Sequence, residues 1–385
     1  LLIHNSGLPL GAGDLMLWPE PNDFARQDII AGLAHLRPVT SFRSGYAYDN
    51  LLYVVAGEVA AAAGGKPYAE LVREQVFAPL GMDGCRVGTW QVEQAGPLAR
   101  AHRRADGRNL PAPPERGQVP DITSMAAGGI RCGLDDMLRW VRAWLDPADA
   151  WLSPAQRGAA WTGHMPMPVG ERMRRWDNSH FHAYGYGWRL SDVDGQWKVA
   201  HTGTLSGMYS STILLPDQRV GIVILINGEA DDARTVLGQV LLKQYTAPDP
   251  GLDVAHYATL LEQERAARRA AQPVPDTSAR RAATAAEAAA LLGVWRDPWF
   301  GEVRVCRRGD GIGFASARSP RLAGRLMRVD GRWLVDWDDD GVDAEAWLHP
   351  PHGSDATLRM SKVDPEADFS YDYEDLDFAR VRACP

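Results

Sequence analysis

The sequence predicts an α+β chain in two parts. Up to about residue 245, helix-spaced apolar runs precede a series of strand-like runs; beyond residue 286 only short alternating runs remain, separated by Asp-Gly pairs; and a polar, proline-punctuated stretch lies between them. Helices followed by a meander imply an antiparallel sheet covered by helices, and short evenly spaced strands imply a small antiparallel barrel. A chain of 385 residues also exceeds what one hydrophobic core usually spans.

Taken in order, Asn50 opens a helix whose apolar positions Leu51, Leu52, Val55 and Val59 keep helical spacing, and Gly64-Gly65 ends it. A second helix starts at Pro67, buries Leu71, Val72 and Val76, and closes at Pro79-Leu80-Gly81-Met82. Ala126 to Ile130 leads to Asp135-Asp136, acidic residues suited to the first turn of a helix over Met137 to Leu145. Strand patterns follow at Tyr184 to Leu190, Trp197 to Thr202, Ser211 to Leu215 and Val220 to Ile226, with Pro216-Asp217-Gln218 separating the last two in hairpin fashion. Pro248-Asp249-Pro250-Gly251 then breaks the chain ahead of a polar helix, Val254 to Ala271, and a turn-rich Pro273 to Ala279. The tail carries strand patterns at Val303 to Arg307, Leu326 to Val329, Trp333 to Trp337, Ala346 to Leu348 and Leu358 to Val363, with hairpin signals at Asp310-Gly311, Asp330-Gly331 and Asp340-Gly341. The expected organisation is residues 1–246 as one domain, 247–286 as a linker and 287–385 as the barrel.

With hydrophobic residues at 45% and charged residues at 23%, the composition is that of ordinary globular protein. The net charge of -8 argues against a nucleic-acid partner, which asks for a basic face. The acidic runs Asp336 to Glu345 and Asp364 to Asp377 read as a solvated rim. No apolar run reaches the ~18 residues of a membrane span. Cys85, Cys132, Cys306 and Cys384 have no Cys-x-x-Cys spacing, which offers no zinc ribbon or redox motif. His180-Phe181-His182 lacks a third ligand at a recognisable spacing and reads as a loop histidine pair. Neither a metal nor a cofactor is expected. The tryptophans Trp295, Trp299, Trp333 and Trp337 read as filling of a small barrel rather than a sugar platform.

Three short pieces carry chemistry. His4-Asn5-Ser6-Gly7-Leu8-Pro9, then Tyr48-Asp49-Asn50, then His201-Thr202-Gly203-Thr204, in that order, resemble the serine beta-lactamase and penicillin-binding-protein superfamily, most of all its class C, D-aminopeptidase and carboxylesterase branch. The tail segments Gly293 to Gly301 and Asp368 to Leu376 resemble the lipocalin-like C-terminal domain attached to many such hydrolases. Taken alone, a tyrosine two residues before an asparagine reads as a core tyrosine ahead of a helix cap. Its place between the Leu1 to Pro9 segment and Pro79 to Met82 selects the functional reading, and Tyr46 fails as a rival because Tyr48 stands where its asparagine should be.

The resemblance implies a serine hydrolase working through an acyl-enzyme. Its nucleophile belongs to a Ser-x-x-Lys motif, and no serine of the 385 residues has lysine three positions later. Gly203-Thr204-Leu205-Ser206-Gly207 only approximates Gly-x-Ser-x-Gly, with its serine one place late. The chain is therefore expected to lack the N-terminal part of that fold. Tyr48 is implied as the phenol that moves the serine proton, its pKa lowered from about 10 by the neighbouring lysine. Asn50 is implied to hold that lysine and donate to a substrate carbonyl. Thr202, Gly203 and Thr204 are implied as an edge strand whose Thr204 N–H faces the developing oxyanion, with Gly203 permitting close approach. His201 stands where lysine would otherwise stand; being largely neutral near pH 7, it weakens the carboxylate recognition that penicillins require. His4, Asn5 and Ser6 are read as holding a turn, with Gly7 and Pro9 fixing the backbone.

The expected substrate is a small peptide or ester, above all an amide containing a D-amino acid, with beta-lactam hydrolysis or non-catalytic binding of cell-wall peptide as alternatives. Tyr48, Asn50 and the strand at 201–204 are expected to serve one cleft. The resemblance favours a periplasmic or extracellular location and leaves a homo-oligomer open. Cys306 and Cys384 are expected to be neighbours because the first and last strands of a closed barrel pair; the pattern leaves open whether they are bonded.

Overall fold

A computed structural model of the chain describes residues 1–385 other than 106–107, 147, 149–150, 343 and 353–355. Asp343 of the acidic run thus lies outside the described residues. The chain forms two compact units, Leu1–Asn5 with Val55–Ala271, and Ser6–Val54 with Gln272–Pro385. The principal helices are α1 (Asn50–Gly64), α2 (Leu134–Leu145), α3 (Asp231–Thr246) and α4 (Val254–Ala271).

In the first unit six strands, β1 (Met165–Pro166), β2 (His182–Tyr184), β3 (Arg189–Val193), β4 (Gln196–Leu205), β5 (Met208–Leu215) and β6 (Val220–Ile226), lie side by side in chain order as an antiparallel meander. Residues 211–215 of β5 are all buried, which requires cover on both faces of the sheet. Leu214 packs with Val141 and Trp144 of α2, while Ile213 and Leu215 pack with Leu242 of α3. The polar helix α4 buries Tyr257 and Leu261 against Val236 of α3 and against Trp176, which lies outside α3. A disulfide joins Cys85 to Cys132, with Cα atoms 4.2 Å apart. The antiparallel bridge between Arg86 and Arg131 brings the two cysteines opposite each other, a contact that cysteine spacing does not encode. The expected strand Tyr184 to Leu190 is two strands joined by a corner. Gly185 N donates to Trp188 O at 2.8 Å, Gly187 has φ 76, and a Cβ on Gly185 would lie 2.2 Å from Ala160 O, so the alternation of aromatic residues and glycine mimics one continuous strand.

In the second unit β7 (Gly293–Asp297), β8 (Gly301–Arg308), β9 (Gly311–Ser316), β10 (Ala323–Val329), β11 (Arg332–Trp337), β12 (Ala346–His349), β13 (Thr357–Lys362) and β14 (Asp377–Arg382) each pair antiparallel with the next. Pairing of β14 with β7 closes an eight-stranded up-and-down barrel. Val303 and Val305 of β8 are fully buried while the intervening Arg304 is exposed, the period-2 signature of a filled barrel. Asp330 and Gly331 both take positive φ, 48 and 78, the turn an Asp-Gly pair supports. Trp295, Trp299 and Trp337 are buried; Trp333 is half-buried, with the Arg328 guanidinium 4.2 Å over its ring.

Cys306 and Cys384 are bonded, with Cα atoms 5.8 Å apart. Cys306 lies on the second barrel strand rather than the first. The bond forms because β7 begins at Gly293, opposite Val305, and the chain after Arg382 passes that strand end and reaches β8. Residues 6–54 pack in this same unit: the Phe24 ring lies 5.8 Å from Phe300, and Arg318 bonds Asp23 at 2.6 Å and Asp28 at 2.7 Å. The acidic runs are not simply a solvated rim. Arg280 pairs with both Asp336 and Glu345, Arg308 with Asp338, and Arg321 with Asp339, and Asp372 is only 4% exposed. Among the described residues no helix is long and apolar enough to cross a membrane.

Candidate functional site

The pairing of β4 with β3 stops at Arg189 and Ala200, so within the described sheet the ladder partner of residues 201–205 is β5. The expected edge strand is thus the overhanging end of a central strand. His201 sits on it half-buried, with Nε2 2.9 Å from the Tyr184 hydroxyl and Nδ1 2.7 Å from Thr202 O. A carbonyl oxygen only accepts, so Nδ1 carries the proton and Nε2 accepts from the Tyr184 O–H. Burial, and then the Arg189 guanidinium, hold the His201 pKa down to about 3, which keeps the ring neutral near pH 7. Tyr184 is 1% exposed and packs edge-on to His4, with ring centroids 4.9 Å apart. His4 is itself buried at φ 52; beyond holding a turn, its ring backs Tyr184.

Two guanidinium groups hold the rest of this strand. Arg189 Nη1 donates to Thr202 Oγ1 at 3.3 Å. Arg234, carried on α3, donates to Gly203 O at 2.7 Å and Thr204 Oγ1 at 2.8 Å, lies over the Tyr209 ring and is anchored by Asp231. Gly203 faces Ser210 across the ladder, and a Cβ there would come within 2.5 Å of Ser210 Oγ, so a side chain at this position would require the Ser210 hydroxyl to turn away. Ser206-Gly207 forms the two-residue turn between β4 and β5, with Gly207 at φ 73. Ser206 therefore sits on a hairpin rather than a strand-to-helix elbow.

Tyr48 and Asn50 are placed in the second unit, at the start of α1. Tyr48 is half-buried, its ring edge-on to Phe369 with centroids 5.8 Å apart, and its carbonyl accepts from Gly11 N at 2.8 Å. Asp49 Oδ1 accepts from Leu51 N at 2.8 Å and caps the helix; burial raises its pKa to about 7. Asn50 is 8% exposed and donates through Nδ2 to Asp14 Oδ2 at 2.9 Å. Ser370 Oγ donates to the same oxygen at 2.9 Å. The flanking Gly13 and Leu15 N–H groups donate to the two oxygens of Asp372 at 2.5 and 3.0 Å. Burial first, then neighbouring carboxylates (Asp49 for Asp14, Asp375 for Asp372), push both carboxyls well above their ordinary range.

His201, Thr202, Gly203 and Thr204 thus share one strand end, and Tyr48 and Asn50 share one helix start. Sequence reasoning missed Tyr184, Arg234, Asp14, Phe369, Ser370 and Asp372, whose link to these residues lies in contacts across the fold and in no local spacing. His180 Nδ1 pairs with Asp192 at 2.7 Å, and His182, on β2, contacts Pro168 O at 3.1 Å.

A family profile described as Beta-lactamase matches residues 1–247. A relative named "Unguisins hydrolase ungD'" from Aspergillus campestris is 24% identical over 66% of this chain and 46% of its own length. A D-aminopeptidase from Gluconobacter oxydans is 24% identical over 60% of this chain and 42% of its own. The chain spans about half the length of these curated relatives. The solved structure of the octameric penicillin-binding protein homologue from Pyrococcus abyssi superposes with a TM-score of 0.56 at 16% identity, covering 93% of this chain and 75% of that one, a likeness of fold. Since the profile takes in well over half of the sequence, the chain belongs to the beta-lactamase family.

Proposed function

We propose that this chain is part of a serine hydrolase that works through an acyl-enzyme on a peptide or ester, with a D-amino-acid amide as the preferred substrate class. In this reading a serine outside the 385 residues attacks the carbonyl, its proton passing to Tyr48. Asn50 orients the lysine beside that serine, and the Thr204 N–H stabilises the oxyanion. Tyr48 hands the serine's proton to the departing amine or alcohol as the acyl-enzyme forms; water then attacks the acyl carbonyl, its proton passing to Tyr48 and on to the departing serine.

The observation that supports a peptide or ester over a beta-lactam is the neutral His201. Its Nε2 accepts from Tyr184 and its Nδ1 proton is held by Thr202 O, so the ring presents no permanent charge with which to pair a substrate carboxylate. Of the nearby cations, Arg234 is engaged by Gly203 O, Thr204 Oγ1 and Asp231, and Arg189 by Thr202 Oγ1. The D-aminopeptidase among the relatives supports the choice of amide.

The test uses the complete encoded protein, assayed with D-aminoacyl p-nitroanilides, short-chain p-nitrophenyl esters and nitrocefin, alongside fluorophosphonate labelling read by intact mass. Turnover of the amides or esters above nitrocefin is expected, with one covalent adduct. Nitrocefin as the best substrate would replace the reading with a beta-lactamase, and no turnover or adduct at all would replace it with a binding module.

A further inference from the structure

The segment that carries Tyr48 is held within the second unit by one loop of the barrel tail. Gly11 and Gly13 take φ 72 and 76, and neither accommodates a side chain: a Cβ on Gly11 would meet Phe369 O at 2.7 Å, and one on Gly13 would meet Leu51 Cδ2 at 2.5 Å. The turn they make is therefore pressed between the tail loop and the first turn of α1. Gly11 N reaches back to the Tyr48 carbonyl, and the Tyr48 ring meets Phe369. Asp14, with no exposed surface, receives Asn50 from one side and Ser370 from the other on a single oxygen. Asp372 clasps the N–H groups on either side of Asp14. The Tyr48 ring thus meets the tail loop directly, whereas the Tyr48 carbonyl and the Asn50 amide are held by Gly11 and Asp14, in a turn that Ser370 and Asp372 secure from 356 to 359 positions later in the chain.

We propose that the loop Asp368–Leu376 positions the catalytic segment, Phe369 setting the Tyr48 ring, and Ser370 and Asp372 fixing the Gly13–Leu15 turn whose Asp14 carboxyl holds the Asn50 amide. The inference rests on the roles proposed for Tyr48 and Asn50. It makes the barrel tail part of the catalytic apparatus rather than an appended binding module. Phe369, Ser370 and Asp372 are positioning residues: a phenol that moves a proton must lie within hydrogen-bond reach of it, and a displacement of about 1 Å lowers turnover by as much as ~10²-fold without changing substrate affinity.

The test is a double-mutant cycle in the complete encoded protein with a p-nitrophenyl ester, read as kcat and KM across pH, with a thermal melt of each variant. Phe369→Ala is expected to lower kcat about 10-fold at unchanged KM and to shift the pH limb that Tyr48→Phe abolishes, while Phe369→Tyr retains activity. In the Tyr48→Phe background Phe369→Ala is expected to add no further loss. Ser370→Ala removes one buried hydrogen bond and little packing, so the same cycle run with it against Asn50→Ala decides the matter if Phe369→Ala does not fold. Equal losses in both backgrounds, or a loss confined to the melting temperature, would overturn the proposal. If Tyr48→Phe leaves turnover unchanged, it is the role of Tyr48 that fails, and the positioning proposal falls with it.

Discussion

The two candidate regions are held by opposite chemistry. The strand end His201–Thr204 is fixed by cations near the surface, Arg189 and Arg234 bonding its oxygens, around an imidazole kept neutral at pH 7. The Tyr48–Asn50 segment is fixed by buried acids, Asp14, Asp49 and Asp372. A guanidinium stays charged at any pH a protein survives, whereas a buried carboxyl holds its proton only up to a limit. One region is thus insensitive to alkali and the other to acid.

Their pH responses are accordingly expected to oppose each other, and this is the largest effect. The Asp49 carboxyl rises from 3.8 to about 7 on folding, so its stabilising contribution is fully present below pH 4 and is lost as pH rises through 7, up to about 4 kcal/mol in all. Asp14 and Asp372 add in the same direction. His201 falls from 6.5 to about 3, so its contribution is fully present above pH 6.5 and is lost as pH falls toward 3. Hydrogen exchange followed by mass spectrometry should show residues 11–15 loosening at pH 8 and residues 201–205 loosening at pH 4, with Asp49→Asn flattening the first slope and His201→Gln the second. Parallel slopes in both regions would erase the contrast.

In turnover, Tyr48→Phe in the complete protein should cost ~10²-fold or more, as removal of a general acid/base does, whereas His201→Gln should cost less than about 10-fold because it removes no charge. Reversed magnitudes would assign the proton transfer to the strand instead. For stability, Asp372→Ala strands two backbone N–H donors and should lower it by about 3 kcal/mol in a urea titration, at a few per N–H at most. The smallest effect expected is that of Arg234→Met, about 1.5 kcal/mol, since its bonds are charge-assisted but Thr204 is exposed to water. A greater loss for Arg234→Met than for Asp372→Ala would show that the strand, not the turn, is the more tightly held.

What was legible in the sequence divides along the same line. Tyr48, Asn50 and His201–Thr204 stand out as candidates because each belongs to a short run whose order along the chain carries meaning, and α1 and α2 are visible from apolar spacing. Barrel closure follows from strand rhythm and brought Cys306 and Cys384 together in expectation, although on a different strand from the one found. The supporting residues are not visible. Nothing near Gly13-Asp14-Leu15 marks Asp14 as buried, nothing in Asp364 to Asp377 separates Asp372 from its solvated neighbours, and Arg234 is one arginine on a helix that reaches β4 only once the sheet is formed. Cys85 and Cys132 meet through a single bridge between Arg86 and Arg131, below any pattern a sequence shows.

The clasp of Asp372 on Gly13 spans 359 positions. At the usual pace of translation, roughly 5 to 20 residues per second, Gly13 leaves the ribosome roughly 20 to 70 seconds before its partner exists. Throughout that interval the Tyr48 segment has helix propensity and a cap but no clasp. A nascent chain interrupted anywhere before the tail loop would carry an intact sequence motif on an unsecured backbone, so that the motif is secured only in a chain translated through that loop.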